Sequence, residues 1–131
     1  MGPPDASNDP TTGRTKALAA CSRLPEARLT HPFGSGTAVF KVAARMFAAV
    51  SLDDEPGRVT LKSDPDFGSF LVQQFGEITP GYHMNKRHWI TVILAASLPT
   101  DMVEDLIADS YDLVWGNAPG QGGRFGKVHD E

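Results

Sequence analysis

Between Gly81 and Val92 the chain sets two histidines, an asparagine, a lysine and an arginine between two aromatic residues. The order is Tyr82, His83, Met84, Asn85, Lys86, Arg87, His88 and Trp89, followed at once by the apolar, β-branched run Ile90-Thr91-Val92. Burying so many donors without partners is costly, so the segment belongs at a surface. Its chemistry suits anion recognition: Lys86 and Arg87 bring charge and N–H donors to phosphate, Asn85 is a polar reader, and Tyr82, His83 or Trp89 offer ring faces for stacking. Lys62, Lys41 and Arg45 join such a patch if the fold brings their strands alongside. The same residues also admit a structural reading, in which Tyr82 and Trp89 anchor the core and the charges solvate the start of a strand. Residue chemistry alone leaves both open.

Other chemistries have less support. His83 and His88 are five positions apart, which on a strand turns them to opposite sides, and His31 is distant in sequence. With no HExxH pattern and no second ligand at suitable spacing, no metal site is expected. Cys21, the sole cysteine, excludes an internal disulfide and falls on the apolar side of a helix, where a free thiol acts as a small hydrophobe. Gly34-Ser35-Gly36 links two strands and reads as a turn, since neither a nucleophile elbow nor a Gly-Lys-Ser/Thr phosphate loop surrounds it. An enzyme using His83 or His88 as general base would lack a nucleophile, a metal and a cofactor motif. The expectation is a non-enzymatic protein with no catalytic residues and no cofactor.

Composition narrows the setting. The 131 residues fit one domain, and 40% hydrophobic with 21% charged residues is an ordinary globular balance. No apolar run reaches the ~20 residues that span a bilayer, and the opening residues lack the basic and apolar regions of a secretory signal. A cytoplasmic protein with no membrane partner is expected. The net charge of −4 argues against an avid, non-specific nucleic-acid binder but permits a local basic patch.

The elements that must position the cluster can be read from periodicity. Residues 1–13 and 116–131 are rich in Pro, Gly and polar residues and are expected to be flexible flanks around one domain at 14–115. One helix is expected over Arg14–Arg23, with Ala17, Leu18, Cys21 and Leu24 on its apolar side and Pro25 ending it. A second starts at the N-cap Asp64 with Pro65 next, carries Phe67, Phe70, Leu71 and Phe75 as an apolar stripe, and ends at Gly76. A third covers Thr100–Val114, with Val103, Leu106, Ile107, Ser110, Tyr111 and Val114 facing the core and Asp101, Glu104 and Asp105 in its first turns. Strands are expected at Ala38–Val42, Met46–Leu52, Arg58–Lys62 and His88–Leu94, with a short one before Pro32 and a hairpin at Ala43-Ala44-Arg45. This order implies an α+β protein. Its twisted, mostly antiparallel sheet has helices packed on one face, and the other face is partly free for contacts.

The chain resembles the MmcQ/YjbR family of DNA-binding proteins. The likeness rests on Leu24-Pro25-Glu26-Ala27, Pro32-Phe33-Gly34, Phe40-Lys41-Val42 with Met46-Phe47-Ala48, and Val59-Thr60-Leu61-Lys62 with Asp64-Pro65. It continues through Pro80 to Val92 and then Leu106-Ile107 with Ser110-Tyr111-Asp112-Leu113-Val114. It runs in order from about Lys16 to Val114. Where family members often have a Gly-Gly-Lys turn, this chain has Ala43-Ala44-Arg45. The resemblance implies a CyaY-like (frataxin-like, YjbR-like) α/β sandwich that binds DNA through a wing-like arrangement of strands and loops. On that expectation Lys86 and Arg87 contact phosphates, with Lys62, His83, Asn85 and His88 in support. Tyr82, Trp89 and Tyr111 act as structural anchors. The alternative partner is a protein or a small anion, recognised by the same polar cluster in an adaptor module.

Overall fold

The computed structural model describes residues 10–32, 34–53, 56–81, 88–95 and 97–116. The elements run α1 (Pro10–Arg23), β1 (Arg28–Thr30), β2 (Thr37–Val42), β3 (Arg45–Ser51), β4 (Arg58–Lys62), α2 (Pro65–Gln74), β5 (Ile78–Pro80), β6 (Trp89–Ile93) and α3 (Thr100–Trp115). The six strands form one sheet in the order β1-β2-β3-β4-β6-β5, antiparallel at every junction. This is the expected α+β architecture.

All three helices lie on the same side. α3 packs against β2, β3 and β4, α1 against α3 and β3, and α2 against β5 and β6. Alternation along the strands sends Ala38, Phe40, Val42, Ala48, Val50, Val59, Leu61, Ile90 and Val92 into the core these helices cover. Phe47 joins them through a register shift between β2 and β3, and Arg45, opposite Val42, shares their face; the remaining side chains of the same strands point away from the helices.

α1 begins at Pro10, four residues before the expected Arg14. Its buried side is Ala17, Ala20 and Cys21, with Leu18 and Leu24 only half-buried, so Ala17 and Cys21 lie as the spacing predicts and Ala20 faces the core in place of Leu18. Burial pushes the Cys21 thiol from its ordinary value of 9.0 up to about 12. A pKa raised in the folded state gives stability that is fully present below pH 9.0 and is lost as pH rises toward 12, because the unfolded chain ionises first. Labelling by a thiol reagent at pH 8 is therefore expected to follow global unfolding across a urea series. Rapid labelling of the native protein would show Cys21 to be accessible.

The α2 stripe needs correction. Asp64 caps the helix as expected, its carboxylate accepting from the N–H groups of Asp66 and Phe67 at 3.1 and 3.2 Å. The buried side, however, is Gly68 and Leu71, with Val72 and Phe75 half-buried beside them. Phe67 is 38% and Phe70 54% exposed, and their rings stack on one another at 6.5 Å. The reason is Gly68: a Cβ there would lie 3.1 Å from Ser63 Oγ and 3.3 Å from Ile90, so the helix seats on its bare backbone and rolls both phenylalanines outward.

β5 was not expected at all. It has three residues and ends in Pro80, too short for alternation to register. Its edge position tolerates a proline, which has no N–H to give.

The β2–β3 hairpin turns on two residues, Ala43 and Ala44, because Val42 pairs with Arg45. Both alanines have positive φ, 53° and 64°, the pattern a type I′ turn requires and glycine or asparagine satisfies at least cost. Replacing Ala43 by Asn and Ala44 by Gly is expected to raise stability by about 1–2 kcal/mol. A urea midpoint that stays put would show the turn to be relaxed.

Candidate functional site

The strands carry charge of one sign. Arg28, Lys41, Arg45, Arg58 and Lys62 lie on them, and among the described residues no strand position is Asp or Glu. The acids sit elsewhere: α3 alone holds Asp101, Glu104, Asp105, Asp109 and Asp112 and no Lys or Arg. A chain with net charge −4 thus presents a locally cationic sheet.

The cations gather toward one end. Arg28 pairs in register with Lys41, Lys41 with Met46, and Lys62 with Trp89. Lys41 and Lys62 are two strands apart, about 10 Å. Arg45 follows the hairpin turn at the same end, whereas Arg58 lies at the opposite end of β4. The sheet therefore brings Lys41 toward Lys62 and adds Arg28, whereas Arg45, opposite the core residue Val42, lies at the same end but on the helical face. Arg28 sits in a strand too short for the sequence to place it opposite Lys41.

His88 and Trp89 complete this corner. The Ser63 N–H donates to the His88 carbonyl at 2.8 Å, and the Gly81 N–H to the Trp89 carbonyl at 2.7 Å. Gly81 is required: a Cβ there would come within 2.6 Å of the Trp89 Cβ and 2.9 Å of its carbonyl oxygen. His88 is exposed and Trp89 half-buried beside Lys62. The connection bearing Lys86 and Arg87 thus has both its ends, Gly81 and His88, tied to the cationic corner. Tyr82, His83, Asn85, Lys86 and Arg87 themselves lie outside the described residues.

Lys62 is held by a buried hydroxyl. The β2–β3 register slips between Phe40 and Lys41: Phe40 pairs with Ala48 and Lys41 with Met46, leaving Phe47 as the extra residue of a bulge. Pairing of β3 with β4 reaches only Ala48 and Leu61 at this end. Beyond it, Ser110 on α3 bridges the gap. Its hydroxyl donates to the Phe47 carbonyl at 2.6 Å and accepts from the Lys62 N–H at 2.8 Å. Sequence reasoning placed Ser110 on the core face of α3 without seeing this role; a hydroxyl amid an apolar stripe was the available signal.

Tyr111, the next residue, packs α3 against β3 and the segment after α1. Its ring meets Phe47 edge-on at 5.4 Å and stacks on Trp115 at 6.4 Å, and its hydroxyl donates to the Pro25 carbonyl at 2.7 Å. Burial, and then the charges of Asp112 and Glu26, hold its phenol above the ordinary value.

Among the described residues no three His, Cys, Asp or Glu side chains gather where a metal ion could be held, and no helix is long and apolar enough to cross a membrane. A groove of about 200 Å³ lies away from the cationic corner, on the helical side. Arg23 faces Glu104 and Asp105 there, between α1 and α3.

A family model described as YjbR matches residues 22–113. The uncharacterised protein YbdF of Escherichia coli O157:H7 is 40% identical over 91 residues, 70% of this chain and 75% of that protein. The uncharacterised protein YjbR of Escherichia coli K12 is 38% identical over 71 residues, 54% of this chain and 60% of that protein. In structure, the DUF419 domain protein DR2400 of Deinococcus radiodurans superposes with a TM-score of 0.70 at 40% identity, covering 73% of each chain. A Pseudomonas syringae protein superposes with a TM-score of 0.66 at 25% identity, covering 77% of this chain and 97% of its own.

Proposed function

The chain belongs to the YjbR family, and on that premise we propose that it is a DNA-binding module, not an enzyme, that meets phosphates with the cationic end of its sheet. The observation that carries this reading is the charge pattern of the strands: five Lys and Arg, no Asp or Glu, in a chain whose net charge is −4. Strands disfavour Asp and Glu in general, but they disfavour Lys as well, and five cations without an acid give the sheet a wholly positive side-chain charge that suits an anion. Lys62 stands at the corner to which Gly81 and His88, the residues flanking 82–87, are tied, which supports assigning Lys86 and Arg87 to the same interface. Lys86 and Arg87 then supply phosphate contacts, and His83 and Asn85 polar support.

A salt titration of binding to a short DNA duplex tests this. Each phosphate neutralised releases counterions, so several contacts give a steep fall of log affinity with log salt. A shallow slope would favour an adaptor that recognises a carboxylate or phosphate on a protein partner through a compact interface. No binding at low salt would reject the DNA reading.

A further inference from the structure

The sheet has a second side that none of the helices covers, and from its composition we infer that it is a track for single-stranded nucleic acid running across the strands, with Trp89 as a stacking platform for an unpaired base. This rests on the nucleic-acid reading above and specifies the form of the ligand.

The register lays the face out in rows. The middle row crosses all six strands as Thr79, Thr91, Thr60, Ala49, Val39 and Thr30. Every member is small or β-branched and none is charged; Val39 and Thr91 are buried among their neighbours, Thr30, Ala49 and Thr60 are half-buried, and Thr79 is exposed. On one side of it runs a row with Trp89, Lys62, Met46, Lys41 and Arg28; on the other runs one with Ile93, Arg58 and Thr37. Rows on one face are about 7 Å apart, so the two margins stand about 13 Å from each other, and six strands give a length of about 24 Å. The result is a low floor beside a cationic margin. Asp64 and Asp66, the acids nearest Lys62 in sequence, belong to the start of α2 on the helical side.

Charge complementarity selects a polyanion, and the floor selects its form. A duplex keeps its bases stacked inside and has no free ring face for Trp89, whereas an unpaired base does. Threonines and an alanine on a sheet are too short to enter a groove and read base edges. Three of the four threonine hydroxyls are also engaged within the sheet: Thr60 and Thr91 bond each other at 3.1 Å, and Thr30 donates to the Val39 carbonyl at 3.1 Å. The floor therefore reads no sequence, and the backbone follows Arg28, Lys41 and Lys62.

The test compares labelled oligo-dT of about 15 nucleotides with a duplex of equal length, by fluorescence anisotropy at low and moderate salt. The single strand is expected to bind at least tenfold more tightly. Trp89→Leu should weaken it by about 5- to 150-fold, with Trp89→Phe retaining most of the affinity, and Lys41→Glu should reduce the salt slope by about one. In case Trp89→Leu fails to fold, Trp115→Phe leaves Trp89 as the sole tryptophan, and saturable quenching by unlabelled oligo-dT is the second readout. Steep, salt-sensitive binding that favours the duplex, or leaves Trp89 unquenched, overturns the track and leaves the DNA reading standing. Absence of binding to either probe at low salt overturns both.

Discussion

Replacing Lys86 and Arg87 together by glutamate is expected to flatten the salt dependence of DNA affinity by about two units of slope, about one for each phosphate contact removed. Affinity at low salt should fall steeply, because reversal replaces two attractions by repulsion of the same phosphates. Stability should not fall with it. The ends of the connection are secured by backbone groups, the Gly81 N–H on the Trp89 carbonyl and the Ser63 N–H on the His88 carbonyl, which the substitutions leave in place. Anisotropy across a salt series, with a thermal melt of each protein, separates the two effects. An unchanged slope in a folded double variant would remove Lys86 and Arg87 from the interface. It would leave Arg28, Lys41 and Lys62 to carry any binding that remains.

The second large effect is on stability. Ser110→Ala is expected to cost about 2–4 kcal/mol, because it strips partners from two backbone groups at once, the Lys62 N–H and the Phe47 carbonyl. Cavity formation adds little, since only an oxygen is removed. Ser110→Cys bonds weakly and puts a larger atom where the oxygen sits 2.6 and 2.8 Å from its partners, so it should lose at least as much; an Ala variant as stable as wild type would show that the hydroxyl bonds contribute nothing. Urea denaturation measures both. Because the bond holds the end of β4 on which Lys62 sits, the Ala variant should also lose protection of the Lys62 amide in hydrogen exchange more than that of Val59.

Much of the fold could be read from the chain. Asp64-Pro65 announced the start of α2, and the recurrence from Val103 to Val114 announced α3, because capping and 3.6-residue periodicity are local properties. Arg58 to Lys62 alternated as a half-buried strand should, and the structure places β4 at those residues. Errors arose where a long-range contact overrode a local pattern. Phe67 and Phe70 look like core residues by hydrophobicity, yet Gly68 sets the approach of α2 to Ile90 and turns them out. Ile78-Thr79-Pro80 holds no strand signal of its own; it becomes β5 by pairing with β6. The Ala43-Ala44 turn departs from the glycines that suit it, and the backbone nonetheless takes the left-handed conformation, because the flanking strands impose a two-residue connection.

The candidate site divides in the same way. The sequence by itself determined the residue chemistry: the donor-rich run before Trp89, the lysine ending β4, the family to which the chain belongs, and a sheet with helices on one face. Only the tertiary structure decided which cations are neighbours. Arg28 and Lys41 are thirteen positions apart, and Lys62 and Trp89 twenty-seven, yet each pair is opposed across a strand junction. Antiparallel register, and the bulge at Phe47 that Ser110 spans, set these pairings. The physical reason is that propensity and periodicity act over a few residues. Pairing between strands is chosen by the burial of a whole face, and one residue of slip would turn every cation to the opposite side.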